Sequence, residues 1–175
     1  MKNTLMPLLA PTLFVVLIAL LWAGLGRDPR FVPSPLVGKP LPAFELPRLR
    51  EPSEMLTHAD LVEKSPALLN VWATWCVSCK QEHRFLMELA ARGGLPLYGL
   101  NYKDKSAAAI DWLDRYGDPY VANVSDPDGT LGIDLGVYGT PETFLVDASG
   151  IIVYKHVGPM TGAVWRQRML PLLRR

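Results

Sequence analysis

Cys76 and Cys79 are the only two cysteines in the 175-residue chain, and they stand in a Cys-x-x-Cys spacing. Two cysteines are too few for a disulfide scaffold and supply half the ligands of a structural zinc site. Redox chemistry, a shared metal and chance are the explanations open to the pair. The flanking sequence weighs on the first. Leu68-Leu69-Asn70-Val71-Trp72 is a short apolar run of strand character, predicted over 68–74. After Cys79, residues Phe85, Leu86, Leu89 and Ala90 recur at helical spacing up to Arg92, and Gly93-Gly94 is the stop. The pair therefore falls at a strand-to-helix junction. Unsatisfied N–H groups and the positive end of the dipole at a helix N-terminus stabilise a thiolate, which lowers a cysteine pKa from ~8.5 to roughly 3.5–7.5. Cys76 is placed to be a nucleophile, with Cys79 the more buried thiol inside the first turn.

The rest of the chain supplies elements to hold this junction. An edge strand is predicted over 43–46, closed by Pro47, and a short helix over 58–62. A second buried strand follows over 95–101 and a second helix over 106–116, with Ala109, Ile110, Leu113 and Tyr116 on one side and Gly117 after it. Strand, helix, strand, helix in that order predicts a parallel α/β unit. A third strand over 119–124, a turn at Asp126-Pro127-Asp128-Gly129 and a helical stretch over 130–135 come next. Segments 143–146 and 151–154 flank Asp147-Ala148-Ser149-Gly150 as an antiparallel hairpin, and a helix over 165–173, limited by Pro171, closes the chain.

From Asn3 to Gly26 there is no charged side chain. About 20 residues at 1.5 Å each cross a ~30 Å hydrocarbon core, so residues 1–26 read as a membrane anchor, with a cleaved signal peptide as the rival. Lys2 on one side and Arg27 and Arg30 on the other leave orientation nearly undecided by charge. Residues 27–42 carry Pro29, Pro33, Pro35, Pro40 and Pro42 and read as a semi-rigid spacer, or in part as the first ordered segment of the domain over 43–175. The formal charge of +1, from 18 basic and 17 acidic residues, gives no excess to draw the molecule to nucleic acid. Lys80 stands where covalent haem attachment requires histidine, so the chain is not itself a c-type cytochrome.

Trp72-Ala73-Thr74-Trp75-Cys76-x-x-Cys79, the later Gly139-Thr140-Pro141-Glu142-Thr143-Phe144, and the closing hairpin and helix resemble the thioredoxin superfamily. Gly26-Arg27-Asp28-Pro29-Arg30, Pro33-Ser34-Pro35-Leu36, Asn101-Tyr102-Lys103-Asp104 and Gly136-Val137-Tyr138-Gly139 more closely resemble the membrane-anchored DsbE (CcmG) thiol:disulfide interchange proteins of bacterial cytochrome c maturation. The resemblance implies a thioredoxin-like α/β fold, a central mixed sheet flanked by helices with an extra strand and helix, behind one N-terminal transmembrane helix. It also implies a bacterial inner-membrane, single-pass protein whose domain faces the periplasm as a monomer. Its partners would be apocytochrome c, a membrane thiol donor of the DsbD/CcdA type and other cytochrome c maturation proteins, with no cofactor beyond the Cys76–Cys79 disulfide.

In that reading Cys76 attacks a target disulfide and Cys79 resolves the mixed disulfide. Pro141 is expected in a cis bond opposite the cysteines, leaving the backbone at Thr140 open to an extended substrate, with Trp75 beside the pair. Asn70 departs from the buried acid that thioredoxins carry before the cysteines, and an amide cannot move a proton. Glu82 and Glu142 are the substitutes, against a reading of both as solvated surface acids. Val77-Ser78 departs from the Pro-Thr common in this branch. His58, His83 and His156 read as surface or satisfied structural residues. The alternatives are an anchored reductase for another envelope client and a copper metallochaperone using Cys76, Cys79 and a histidine; a thiol peroxidase lacks a separate peroxidatic cysteine.

Overall fold

A computed structural model describes residues 6–25 and 35–174. Lys2, Arg27, Arg30, Pro29, Pro33 and Arg175 lie outside the described residues. The chain separates into units spanning 1–32 and 33–175. In the first, helix α1 (Met6–Leu25) has 20 residues with Pro11 inside it. Its side chains are described over 10–22, and among the described residues no helix is long and apolar enough to cross a membrane.

The second unit is built on a five-stranded sheet. Its strands are β3 (Ala67–Trp72), β4 (Leu97–Tyr102), β5 (Ala122–Asp126), β6 (Glu142–Val146) and β7 (Ile152–Val157), in the order β5-β4-β3-β6-β7. β3, β4 and β5 run parallel, and β6 and β7 are antiparallel to their neighbours. Helix α3 (Val77–Arg92) makes the β3–β4 crossover and α4 (Ser106–Tyr116) the β4–β5 crossover. The mixed sheet flanked by helices is thus the thioredoxin-like arrangement expected. α4, β5 and α5 (Thr130–Asp134) fill the long interval between β4 and β6.

β3 is buried along its whole length because it is the central strand, and its period-2 alternation splits its side chains between two cores. Leu69 and Val71 join Tyr98, Leu100, Val124, Phe144 and Val146 on one face, covered by Leu61 of α2 (His58–Glu63) and by Leu131 and Leu135. Leu68 lies on the other with Leu86 and Leu89 of α3, Leu97, Leu145, Trp165 and Met169. Trp72 packs with Cys76, Cys79, and Ala109 and Leu113 of α4. Asn70, between Leu68 and Trp72, therefore faces α3.

Two expectations are corrected, and one of the two readings left open for 27–42 is favoured. The segment over 43–46 is strand β1 (Glu45–Pro47), and it pairs with an unanticipated β2 (Met55–Thr57) in a separate two-stranded sheet. Thr57 then caps α2 through a reciprocal bond pair with Asp60. The spacer over 27–42 ends early. Gly38 donates its N–H to the Ile152 carbonyl, Leu41 donates to that of Gly150, and the Leu41 side chain is buried in the core, so this stretch belongs to the domain. The closing helix is not a continuous α-helix over 165–173. It starts as α6 (Gly162–Val164), capped by Thr161, widens to a π turn over Trp165–Met169 and ends in a 3-10 turn at Leu172–Arg174. Pro171 has no N–H to extend the ladder.

Candidate active site

β3 delivers the chain to Cys76, which is the N-cap of α3: its backbone is extended and its Sγ accepts the Cys79 N–H at 3.0 Å. A sulfur in this place takes up one of the orphan donors of the helix, which favours its anionic form once the disulfide opens. Cys76 and Cys79 form a disulfide with Cα atoms 5.3 Å apart. Both are buried, Cys79 the more deeply, while the neighbours Trp75 and Val77 stand out into solvent, Trp75 at 56% exposure.

The approach to Cys76 is fixed by a carboxylate that sequence reasoning passed over. Asp104, just after β4, accepts the Thr74 N–H at 2.6 Å and the Thr74 hydroxyl at 2.9 Å. It also accepts from Asn101 Nδ2 at 3.1 Å and from the Lys105 N–H at 2.8 Å. Trp75 Nε1 donates to the Lys103 carbonyl at 3.0 Å, and Lys103 has a φ of 48°. The Asn101–Asp104 motif supported the resemblance, but nothing in it named Thr74 as its partner.

Pro141 opens β6 at the sheet end where β3 finishes, since Val71 pairs with Glu142 across the antiparallel ladder. The Thr140–Pro141 bond is cis, and the buried Thr140 Oγ1 has no hydrogen-bond partner among the described residues.

Neither Glu82 nor Glu142 is a solvated surface acid. Glu82 is 2% exposed and accepts from Asn70 Nδ2 at 2.9 Å and from the Met160 N–H at 2.6 Å. Burial pushes its carboxyl up from the ordinary 4.5 to about 7, with the two donors pulling the other way. Glu142 forms a buried ion pair with Lys155 Nζ at 2.8 Å, and the Lys155 side chain is only 3% exposed. Lys155 also donates to the Gly136 carbonyl at 2.7 Å and lies 4.8 Å from the Tyr138 ring centre. The Glu142 carboxyl is raised by burial, opposed first by the Lys155 bond. Lys155 thus ties the 136–142 loop, which carries Thr140 and Pro141, to β7. Sequence reasoning missed it because a lysine in a strand reads as solvent-facing.

His83 is buried on α3, its Nε2 3.2 Å from the Tyr116 carbonyl and its ring edge-on to Trp112 at 4.4 Å between centres. It ties α3 to α4. His156 Nε2 lies 3.3 Å from the Pro159 carbonyl, and the His58 ring lies edge-on to Phe44. Trp72 stacks on Tyr120 and packs on Trp112.

This geometry has known counterparts. The Redoxin family model matches residues 36–167. The chain is 52% identical over 160 residues to the thiol:disulfide interchange protein DsbE of Pseudomonas aeruginosa, covering 91% of this chain and 88% of that protein. It is 46% identical over 171 residues to DsbE of Escherichia coli K12, covering 94% and 92%. Among solved structures, a thio-disulfide isomerase from Thermus thermophilus superposes with a TM-score of 0.64 at 26% identity, over 79% of this chain and 94% of that one. A disulfide at a helix N-cap and a cis-proline opening the neighbouring strand, carried on a Redoxin domain in a chain so similar to these proteins, lead to one conclusion: the chain belongs to the DsbE family and is a thiol:disulfide oxidoreductase.

Proposed function

We propose that this domain is a reductant held at the periplasmic face of the bacterial inner membrane, and that its client is the cysteine pair of apocytochrome c before haem attachment. The observation that carries the redox reading is the Cys76–Cys79 disulfide at the N-cap of α3, with the first sulfur accepting a helix N–H. In the reduced protein the Cys76 thiolate attacks one sulfur of the client disulfide, forms a mixed disulfide and expels the other client sulfur as thiolate. Cys79 then attacks Cys76 and expels the second client thiolate. Two electrons pass to the client, and the protein returns to the disulfide form. Glu82, an acid poised near neutrality one helical turn beyond Cys79, takes the proton that Cys79 must lose. Thr140, ahead of the cis-proline, offers backbone to an extended chain, and exposed Trp75 gives it an apolar wall.

The anchor is proposed on the whole charge-free stretch from Asn3 to Gly26, not on the described part of α1 alone, which is not long and apolar enough to cross a membrane. Leu13, Phe14, Val15, Leu17, Leu20, Leu21 and Trp22 all stand exposed around this 20-residue helix, and a helix apolar on every side is stable only in a core or a bilayer. A reductant in an oxidising compartment needs continual recharging, and the family resemblance suggests a membrane thiol carrier of the DsbD/CcdA type as the donor. The names of the relatives as interchange proteins support the exchange chemistry, and the client is inferred from the resemblance to the interchange proteins of cytochrome c maturation. The test is Cys79→Ala incubated with an oxidised peptide bearing Cys-x-x-Cys-His, the haem-attachment spacing. A dithiothreitol-sensitive adduct through Cys76 is expected. Absence of the adduct would remove the assigned roles, and equal trapping of an unrelated disulfide peptide would remove the client.

A further inference from the structure

Asn70 is wholly buried, and every polar atom of its side chain is engaged. Nδ2 donates one hydrogen to Glu82 Oε1 at 2.9 Å and the other to Thr143 Oγ1 at 3.0 Å, while Oδ1 accepts from the Tyr120 hydroxyl at 2.8 Å. A buried carboxamide has two orientations, related by a half-turn, and its partners choose between them. Glu82 and Thr143 do not choose. A carboxyl group accepts when ionised and donates when protonated, and a hydroxyl does either.

Tyr120 does choose. The Asn70 oxygen is the only partner of its hydroxyl among the described residues; turning the amide over would leave the phenol accepting and hand the carbonyl to Thr143, and a phenol, the more acidic of the two hydroxyls, is the stronger donor to that carbonyl. The ring is locked as well, stacked 5.8 Å from that of Trp72 at an interplanar angle of 17°. Trp72 is held in turn by its Nε1 bond to Asn123 Oδ1 at 3.0 Å.

We propose that Tyr120 is a positioning residue for the buried acid: its hydroxyl holds Asn70 with the amide hydrogens toward Glu82, and so sets the pH at which Glu82 ionises. In the observed orientation the carboxylate has two donors, Asn70 Nδ2 and the Met160 N–H. In the opposite one Asn70 would present its oxygen and hold Glu82 in the acid form. The phenol also polarises the amide it donates to, which strengthens the bond to Glu82. Loss of the hydroxyl therefore raises the Glu82 pKa by either route.

The other titratable groups on the surrounding elements are engaged elsewhere. His83 turns to Trp112 and the Tyr116 carbonyl, Glu142 is paired with Lys155, and His156 lies against the Pro159 carbonyl. Asp118, beside Tyr120, accepts the Tyr120 backbone N–H and stays unchanged in the variants below.

The inference rests on Glu82 as the proton-carrying acid only for its effect on thiol exchange. The titration of the carboxyl itself is read in the oxidised protein, where neither thiol ionises, so this inference and the relay reading fail separately. The experiment follows the Glu82 side-chain carboxyl carbon by NMR against pH in the oxidised full-length chain in detergent micelles. Tyr120→Phe is expected to move the midpoint upward by about one pH unit, the scale of one hydrogen bond to a charged group. Asn70→Leu, which removes the donor, is expected to raise it too, and adding Tyr120→Phe to that variant should move it no further.

An unchanged midpoint in Tyr120→Phe, or an equal shift in the Asn70→Leu background, would overturn the proposal, the second by showing that Tyr120 acts without the amide. The wild-type protein gives a check independent of any variant. The Asn70 amide protons should show cross-relaxation with Thr143 and none with the Tyr120 ring edge, and a strong contact to the ring would equally overturn it.

Discussion

Glu82→Gln in the oxidised protein isolates the cost of the buried carboxylate, because the disulfide removes both thiols from the titration. Burial raises the Glu82 carboxyl from 4.5 to about 7. The folded protein therefore keeps a proton that the unfolded chain releases near pH 4.5. Between those values the native state binds more protons than the unfolded one, so its stability falls as pH rises. The penalty is absent below about pH 4.5 and complete above about pH 7, and at 1.36 kcal/mol per unit it reaches ~3 kcal/mol.

Glutamine carries no such penalty. Its amide hydrogens do face either the Met160 N–H or Asn70 Nδ2, an offset of about 1–3 kcal/mol that does not vary with pH. Urea denaturation of both proteins from pH 4 to 8 should show the stability of the variant rising relative to wild type by ~3 kcal/mol, mostly between pH 5 and 7. A difference flat across that range would refute the assignment of a raised, buried acid at Glu82.

Three further substitutions test the supports of the site. Asp104→Asn must turn amide hydrogens against donors on one side or the other, the Thr74 and Asn101 nitrogens or the Thr74 hydroxyl and Lys105 N–H. It should cost about 2–3 kcal/mol in urea denaturation and alter Trp75 fluorescence quenching, since Trp75 is bonded to the same loop. Lys155→Met leaves Glu142 buried without its cation and should cost about 3–5 kcal/mol at pH 8, less at pH 4.5 where the raised carboxyl takes a proton, and adding Glu142→Gln should recover part of it. Gly99→Ala would drive its Cβ into Asn123 Oδ1 and Trp72 Nε1, breaking their bond, and a loss of about 1–3 kcal/mol of stability in urea denaturation is expected.

What the chain revealed in advance follows from how local each signal is. Helix α4 was legible to the residue because Ala109 and Leu113 repeat at helical spacing ahead of Gly117. The Cys76 N-cap was legible because a strand run and a helix run meet there. Glu82 stood out as a candidate and Asn70 as a departure, yet their contact depends on period 2 in β3 meeting one face of α3, which only the packed sheet displays. Asp104, Tyr120 and Lys155 were not found. Their partners lie on other elements, at Thr74, Asn70 and Glu142, and the spacing of those partners along the chain carries no periodic signal. The β1–β2 pair was missed for a related reason: each strand is only three residues long, too short for alternation to register.

The most direct test of the central claim is the equilibrium reduction potential of the Cys76–Cys79 pair, measured against glutathione or dithiothreitol at pH 7. A reductant should lie near thioredoxin, at about −270 mV. A value near that of DsbA, about −120 mV, would leave the fold and the family standing and contradict the assignment of this protein as the reductant of a cysteine pair.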